Sequence, residues 1–268
     1  MQRFASAVAT SLAVLTALAV TVLPGSGHPH PAPAAYASSP SATSMRAHTE
    51  QGPSAALFGS ENRRMRTTRH VVALTFNAAW DETGVATVLD VLRERHVPAT
   101  FFPTGRFAES HPAAVRAMAA EHGIGSHSYS HPLFDGLTCP QAADEVLRAD
   151  RAIRAAAGEE PLPFFRFPYS ATTPRGIACV NELGYADIEF TTDTQGYLGP
   201  AGGITVQKAV DRVVRDLSPG QIVQMHVGAD TGQDAALDAE ALPRIVDAVH
   251  AHGYRIVDLR TLLLPRQD

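Results

Sequence analysis

The sequence has few cysteines and few charged residues, and each scarcity excludes a class of protein. Two cysteines in 268 residues are too few for a disulfide framework or a four-cysteine zinc site. Charged residues make up only 18% of the chain and the net charge is −5, so we expect no binding to nucleic acid. The hydrophobic fraction of 45% is ordinary for a globular chain and excludes a wholly disordered, collagenous or coiled-coil protein.

Residues 1–37 have the features of an export signal. Arg3 precedes an uncharged run that lasts from residue 4 to residue 23, and small residues that suit a cleavage site follow at 35–37. The run is also long enough to remain in the membrane as an uncleaved N-terminal anchor. Under either alternative, we predict that the rest of the chain is secreted or held at the cell envelope.

Residues 38–66 are rich in proline, alanine and serine and lack apolar periodicity, so we predict a disordered linker. The folded domain is then expected to cover residues 67–266. Export would permit a disulfide bond between Cys139 and Cys179. Two separate buried thiols fit the sequence equally well, because the sequence does not give the distance between them.

The folded domain alternates strand-like and helix-like segments. Strands are predicted at His70–Asn77, Ala99–Gly105, Gly123–Ser128, Pro163–Tyr169, Ala186–Asp193, Gln221–Val227 and Arg255–Leu259. Helices are predicted at Glu82–Arg95, Pro112–His122, Gln141–Ala157, Pro174–Leu183, Thr205–Leu217 and Ala239–His252. Seven strands regularly separated by helices indicate an α/β fold with a parallel sheet that closes, or nearly closes, into a barrel.

Polar side chains lie at or near the ends of five predicted strands: Asn77, His127, Arg166, Asp193 and His226. The carboxyl ends of parallel strands open onto one rim of a barrel, where such folds carry their active sites. The pattern therefore predicts a functional site at this rim.

His127 and His131 are four residues apart, a spacing that can bring two imidazoles to one divalent cation. Pro132 disfavours a helix at His131, so we expect a loop that leaves the third strand. Imidazole ligands favour zinc, with cobalt or another late first-row metal as the alternative.

Five segments in order carry a further pattern: Thr75–Ala78, His127–His131, Arg166–Tyr169, Asp193–Tyr197 and Gln224–His226. They resemble the five motifs of the polysaccharide deacetylase family, the NodB-homology carbohydrate esterases. The resemblance covers about residues 70–264. It implies a distorted seven-stranded parallel (β/α) barrel and the metal-dependent removal of acetyl groups from N-acetylglucosamine polymers, peptidoglycan or xylan.

The resemblance also implies roles for individual residues. His127 and His131 would hold the metal together with an aspartate. Arg166 would orient the general base, and Tyr169 would offer a backbone N–H to the developing oxyanion. His226 would be the general acid, with Asp193 adjusting its protonation.

The first motif departs from the family pattern. The base aspartate is replaced by Asn77 and the metal aspartate by Ala78, and neither side chain can do the work of a carboxylate. We favour Asp81 as the replacement base or metal ligand. The alternative is that Asp81 and Glu82 only stabilise the start of the following helix.

Three aromatic residues are predicted to bind a polysaccharide substrate: Trp80, Tyr169 and Tyr197. Trp80 would stack on a sugar ring, although it could instead only close the mouth of the barrel. We expect a monomer whose only contact with a membrane is through an uncleaved N-terminal segment.

Three functions compete at this point. The first is an exported deacetylase with a reorganised first motif, and the second is a metal-binding or glycan-binding homologue that has lost turnover. The third is another metal-dependent amidohydrolase that acts on a small cyclic amide. Export argues against the third, and the presence of Arg166, Asp193 and His226 favours the first.

Overall fold

The structure, a computed structural model, describes residues 54–228 and 237–264. The predicted export signal and the linker up to residue 53 lie outside these residues. Within the described ranges, no helix is both long and apolar enough to cross a bilayer.

Across the described ranges, eight strands alternate with seven α-helices. The strands are β1 (Val71–Ala78), β2 (Thr100–Pro103), β3 (Gly123–Ile124), β4 (Phe164–Phe165), β5 (Ala186–Asp187), β6 (Thr192–Asp193), β7 (Gln221–His226) and β8 (Arg255–Val257). The helices are α1 (Val85–Glu94), α2 (Gly105–Ser110), α3 (Pro112–Glu121), α4 (Cys139–Ala157), α5 (Pro174–Glu182), α6 (Val206–Arg215) and α7 (Leu237–Ala251).

Strand β1 lies at the centre of a parallel sheet. It pairs with β7 along one edge, while β8 and then β2 pair with the other edge. The order of the main sheet is β3-β2-β1-β7-β6, and β4 and β5 form a second parallel pair. Every residue of β1 is buried, as expected for a strand covered on both faces.

The predicted strand Ala186–Asp193 is two strands, because its two halves have different partners. Its first half, β5, pairs with β4, and its second half, β6, pairs with β7. A bridge between Ser126 and Phe165 joins the β3 side of the main sheet to β4. The strands therefore follow one another in the order β6-β7-β1-β2-β3-β4-β5, an open path that is consistent with the predicted barrel class.

Threonine side chains begin four of the helices. Thr104, Thr138, Thr173 and Thr205 each accept a hydrogen bond from a backbone N–H in the first turn of α2, α4, α5 and α6. Helix α2 was not predicted, because the second strand was expected to continue to Gly105. That strand ends at Pro103, where the Thr104 cap starts the helix.

The final part of the predicted linker is folded, which corrects the boundary at residue 66. Leu57 and Met65 are buried, and Asn62 is buried beside them. The Asn62 side-chain amide donates hydrogen bonds to the carbonyls of Leu57 and Asp187, at 2.8 and 2.9 Å. Residues 54–66 therefore belong to the folded domain and pack against it at β5.

A disulfide bond joins Cys139, at the start of α4, to Cys179 in α5. The sequence left this pairing open. Both cysteines belong to a cluster of apolar side chains between these helices and β4.

Removing this bond is expected to destabilise the fold. The bond closes a loop of 40 residues, and the loss of chain entropy in the unfolded state corresponds to about 4 kcal/mol. We expect the Cys139→Ala/Cys179→Ala variant to lose about this much free energy of unfolding, measured by urea denaturation. An unchanged denaturation midpoint would contradict the prediction.

Candidate active site

A cleft of about 310 Å³ opens at the carboxyl ends of the strands. Eight of the ten predicted site residues line it: Asn77, Trp80, His127, His131, Tyr169, Asp193, Tyr197 and His226. Arg166 lies beneath its floor, hydrogen-bonded to Asn77, and Asp81 lies at its edge against Gly228. The structure therefore brings the polar strand ends together at one rim.

The two histidines of the second motif meet through a tight loop. Ser128 and His131 have positive φ angles of 66° and 62°, and the Ser128 hydroxyl accepts the backbone N–H of His131 at 3.0 Å. This turn brings the Nε2 atoms of His127 and His131 to within 3.2 Å of each other. The predicted loop is confirmed.

Hydrogen bonding and burial prepare His127 as a neutral ligand. Its Nδ1 lies 2.9 Å from the backbone carbonyl of Arg166, an acceptor that fixes the proton on Nδ1 and leaves the Nε2 lone pair free. Burial lowers the pKa of His127 well below its ordinary value, so the ring is neutral at pH 7.

The histidine pair fits two positions of a divalent metal centre. Two nitrogen ligands of a tetrahedral zinc, each about 2.1 Å from the metal, are roughly 3.4 Å apart, close to the distance between the two Nε2 atoms. A third ligand does not join them. Among the described residues, no three His, Cys, Asp or Glu side chains converge where they could hold a metal ion.

Asp81 makes a local turn before α1. Its Oδ1 accepts the backbone N–H of Thr83 at 3.0 Å, and a Cβ built on Gly228 would lie only 2.6 Å from its Oδ2. This arrangement stabilises the entry to the helix. The assignment of Asp81 as base or ligand remains a prediction.

Four polar side chains form a chain of hydrogen bonds under the cleft. Arg166 Nη1 donates to Asn77 Oδ1 at 3.1 Å, and Asn77 Nδ2 donates to Gln224 Oε1 at 3.0 Å. The side chain of Gln224 in turn donates to Asp193. Both ends of the Asn77 amide are therefore occupied, and this residue offers no basic atom to the cleft.

Arg166 is fully buried, and its charge is compensated from the side away from the cleft. Its guanidinium donates to the backbone carbonyls of Ile188 and Glu189, at 3.0 and 3.3 Å. Burial lowers the pKa of Arg166 to about 10, although the nearby carboxylates of Glu189 and Asp187 act in the opposite direction. Burial also raises the pKa values of both Asp187 and Glu189.

The raised pKa of Asp187 gives stability a predictable pH dependence. The folded chain retains a proton on Asp187 that the unfolded chain releases above its ordinary pKa of 3.8. Between pH 3.8 and the raised pKa of Asp187 in the folded chain, the free energy of unfolding should therefore fall as pH rises. The slope is about 1.4 kcal/mol per pH unit for one proton. We expect Asp187→Asn to reduce this slope in urea denaturation measured across the window, and an identical slope would contradict the assignment.

His226 lies against a carboxylate that the sequence did not indicate. Its backbone N–H donates to Asp238 Oδ2 at 2.8 Å, and its Nδ1 lies 3.9 Å from the same oxygen. The carboxylate of Asp193, the partner implied by the family resemblance, accepts the backbone N–H of Gln195 at 2.8 Å. Burial lowers the pKa of His226 to about 3 and raises the pKa of Asp238 to about 7.

Aromatic rings form the rim of the cleft. Trp80 and Tyr169 are 51% and 64% exposed, and both rings meet the edge of His131, with centroids 5.3 and 4.6 Å away. The ring of Tyr197 lies 4.7 Å from that of His226. Tyr169 has a φ of 60°, a strained conformation for a non-glycine residue that is common at functional positions.

Sequence reasoning missed Gln224 and Asp238. Gln224 had a usable signal, because it lies two residues before His226 on β7 and strand side chains repeat every two residues. Asp238 had none, because it belongs to no motif and reaches His226 only through the fold.

The family model described as polysaccharide deacetylase matches residues 64–188. A chitooligosaccharide deacetylase of Sinorhizobium fredii is 31% identical over 196 residues, which cover 70% of this chain and 89% of the relative. The chain belongs to the polysaccharide deacetylase family. Members of this family use a divalent metal.

Other members extend the comparison. A peptidoglycan-N-acetylglucosamine deacetylase of Bacillus cereus is 27% identical, over 71% of this deacetylase-family chain and 67% of the relative. The crystal structure of a CE4 family pseudoenzyme from Bacillus anthracis matches with a TM-score of 0.69 at 24% identity, over 77% of this chain and 69% of that one. The second similarity concerns the fold alone and confirms the predicted barrel class.

Proposed function

We propose that this chain is an exported, metal-dependent hydrolase that removes acetyl groups from N-acetylated glycans such as chitin-like oligomers or peptidoglycan. The observation that carries the proposal is the convergence of His127, His131 and His226 on one cleft. The names of the chitooligosaccharide and peptidoglycan deacetylases among its relatives support the substrate class.

His127 and His131 would hold the metal through their Nε2 atoms. A divalent ion such as zinc or cobalt would polarise the acetyl carbonyl and lower the pKa of a bound water. Arg166 acts from below by fixing the side chain of Asn77. Asp81 is the carboxylate that we propose as a further ligand or as the base.

The remaining residues would orient the substrate and supply a proton. His226 is positioned to give a proton to the departing amine. The family pattern assigns to Asp193 the role of adjusting the protonation of His226. The backbone N–H of Tyr169 would stabilise the oxyanion, a contribution of a few kcal/mol in such sites. Trp80 offers an exposed ring for sugar stacking, and the half-buried ring of Tyr197 lines the same cleft.

Export is supported by the disulfide bond between Cys139 and Cys179, because such bonds form and persist in oxidising compartments. This bond also favours the secreted or cell-envelope location that we propose. Cleavage or retention of residues 1–37 would decide whether the protein is released or anchored.

A second candidate function is glycan binding without turnover. It is favoured by the first motif, where the amide of Asn77 is held at both ends and Ala78 is buried in the main apolar core. Ala78 follows Asn77 on a strand, so its side chain points to the opposite face. A binder of this kind would retain the aromatic rim and the histidine pair.

Acetate release separates the two candidates. The full chain would be incubated with acetylated chitooligosaccharides, peptidoglycan and acetylated xylan, with and without zinc or cobalt. The proposal predicts metal-dependent acetate release from at least one N-acetylated glycan, abolished by chelation. Glycan binding without acetate release from any substrate would support the second candidate.

A further inference from the structure

Asp238 is a buried carboxylate whose hydrogen bond leaves its own helix. It is the second residue of α7 and only 1% exposed, yet its Oδ2 accepts the backbone N–H of His226 in β7. The side chain of Thr194 also hydrogen-bonds to this carboxylate, whereas the Nδ1 of His226 is buried without a hydrogen-bond partner among the described residues. A buried carboxylate beside a buried ring nitrogen is costly unless the two interact.

The space that Asp238 occupies exists because residue 196 is glycine. A Cβ built on Gly196 would lie 2.3 Å from Asp238 Cγ and 2.3 Å from its Oδ1. The backbone of Gly196 is outside the left-handed region, so its conformation does not require glycine. Glycine has no side chain, and the carboxylate of Asp238 from α7 occupies the space that a side chain at residue 196 would fill.

We propose that Asp238 is the carboxylate that orients the imidazole of His226, and that Gly196 is needed to admit it. The inference deepens the proposed function, because it assigns a positioning residue to the same cleft. Asp238 draws the ring proton to Nδ1 and leaves Nε2 unprotonated towards the substrate, so Nε2 must first take up the proton released by the attacking water before it gives that proton to the departing amine. The family resemblance assigns the adjustment of His226 to Asp193, whereas Asp238 lies outside the five motifs.

The other charged groups around this pair do not replace Asp238. Arg166 and His131 act on His226 as positive charges, and both disfavour its protonation. Asp193 is the other carboxylate nearby, but its side chain is bonded to Gln195 and Gln224. Asp238 is therefore the carboxylate left to interact with the ring of His226, with its Oδ2 3.9 Å from Nδ1.

The tautomer of His226 tests the inference without any substrate. Nitrogen-15 NMR of the full chain, at a pH above the pKa of Asp238, reports which ring nitrogen carries the proton. We expect the Nδ1–H tautomer in the native protein and in Glu240→Gln, which removes an exposed charge from the same turn of α7. Asp238→Ala should shift the population towards Nε2–H.

A double variant tests the role of Gly196 and controls for misfolding. Gly196→Asp/Asp238→Ala supplies a carboxylate to the same space from the other side, and it should restore the Nδ1–H tautomer. A folded Asp238→Ala variant that retains the native tautomer would overturn the inference, as would a folded double variant that does not recover it.

Activity provides a second readout if the proposed function holds. Asp238→Ala should lower kcat by about 10–100-fold with little change in KM, the usual effect of losing an orienting partner. The double variant should recover most of this loss, and Glu240→Gln should lose nothing. If the native chain releases no acetate from any glycan, the proposed function fails while the tautomer measurement still decides the inference.

Discussion

Asn77→Asp is expected to raise the rate of acetate release on the order of 100-fold or more, the contribution of a positioned general base. In the native chain the amide oxygen of Asn77 accepts from Arg166 at 3.1 Å. A carboxylate in the same place would be held by the same guanidinium, whose positive charge keeps it ionised. The variant would therefore gain a base without moving the backbone of β1.

The gain requires one local change. Asn77 Nδ2 now donates to Gln224 Oε1, and two oxygens in that position would repel each other. Rotation of the Gln224 amide relieves the repulsion, but Gln224 then no longer donates to Asp193. Burial already raises the pKa of Asp193, so we expect its pKa to rise further in the variant.

The measurement is the initial rate of acetate release from N-acetylchitooligosaccharides at saturating zinc. Gln207→Glu provides the control, since it adds the same charge at an exposed position of α6. A rate equal to that of the native chain, in a folded variant that binds zinc, would show that a base at residue 77 is not what limits turnover.

Replacing either histidine of the second motif should abolish metal binding and activity together. The two Nε2 atoms are 3.2 Å apart, and the structure offers no third metal-ligating side chain beside them in the described part of the chain. With so few protein ligands, the loss of one leaves a single imidazole. We expect His127→Ala and His131→Ala to weaken zinc binding by more than about 100-fold, a larger loss than outer-shell changes cause.

Calorimetric zinc titration and acetate release would be measured on the same preparations. His250→Ala is a matched control, because His250 is an exposed imidazole in the last turn of α7. Native zinc stoichiometry in both cleft variants would remove the assigned metal site, whatever happened to the rate.

Local sequence signals predicted the site wherever one element carries the residue. Asn77, His127 and His226 each lie at the end of a strand or just after it, and parallel strands bring such ends to one rim. Thr173 and Pro174 likewise predicted the start of α5. These features depend on a few neighbouring residues, which the sequence shows directly.

The features that were missed depend on contacts between distant segments. The break between β5 and β6 arises because two different strands compete for the halves of one extended segment. The contact between Asp238 and His226 joins α7 to β7. Gly196 belongs to a third segment, which packs against Asp238 at the same place. Residue types alone do not reveal contacts between residues that are far apart in the sequence. Asp193 was therefore the only carboxylate that a motif could suggest as the partner of His226.

The most direct test of the account is the location of zinc in crystals of the full chain. Anomalous diffraction at the zinc absorption edge should give one strong peak in the cleft, bonded to Nε2 of both His127 and His131 and facing His226. A peak bonded to neither histidine, or no peak in the cleft at saturating zinc, would contradict the account.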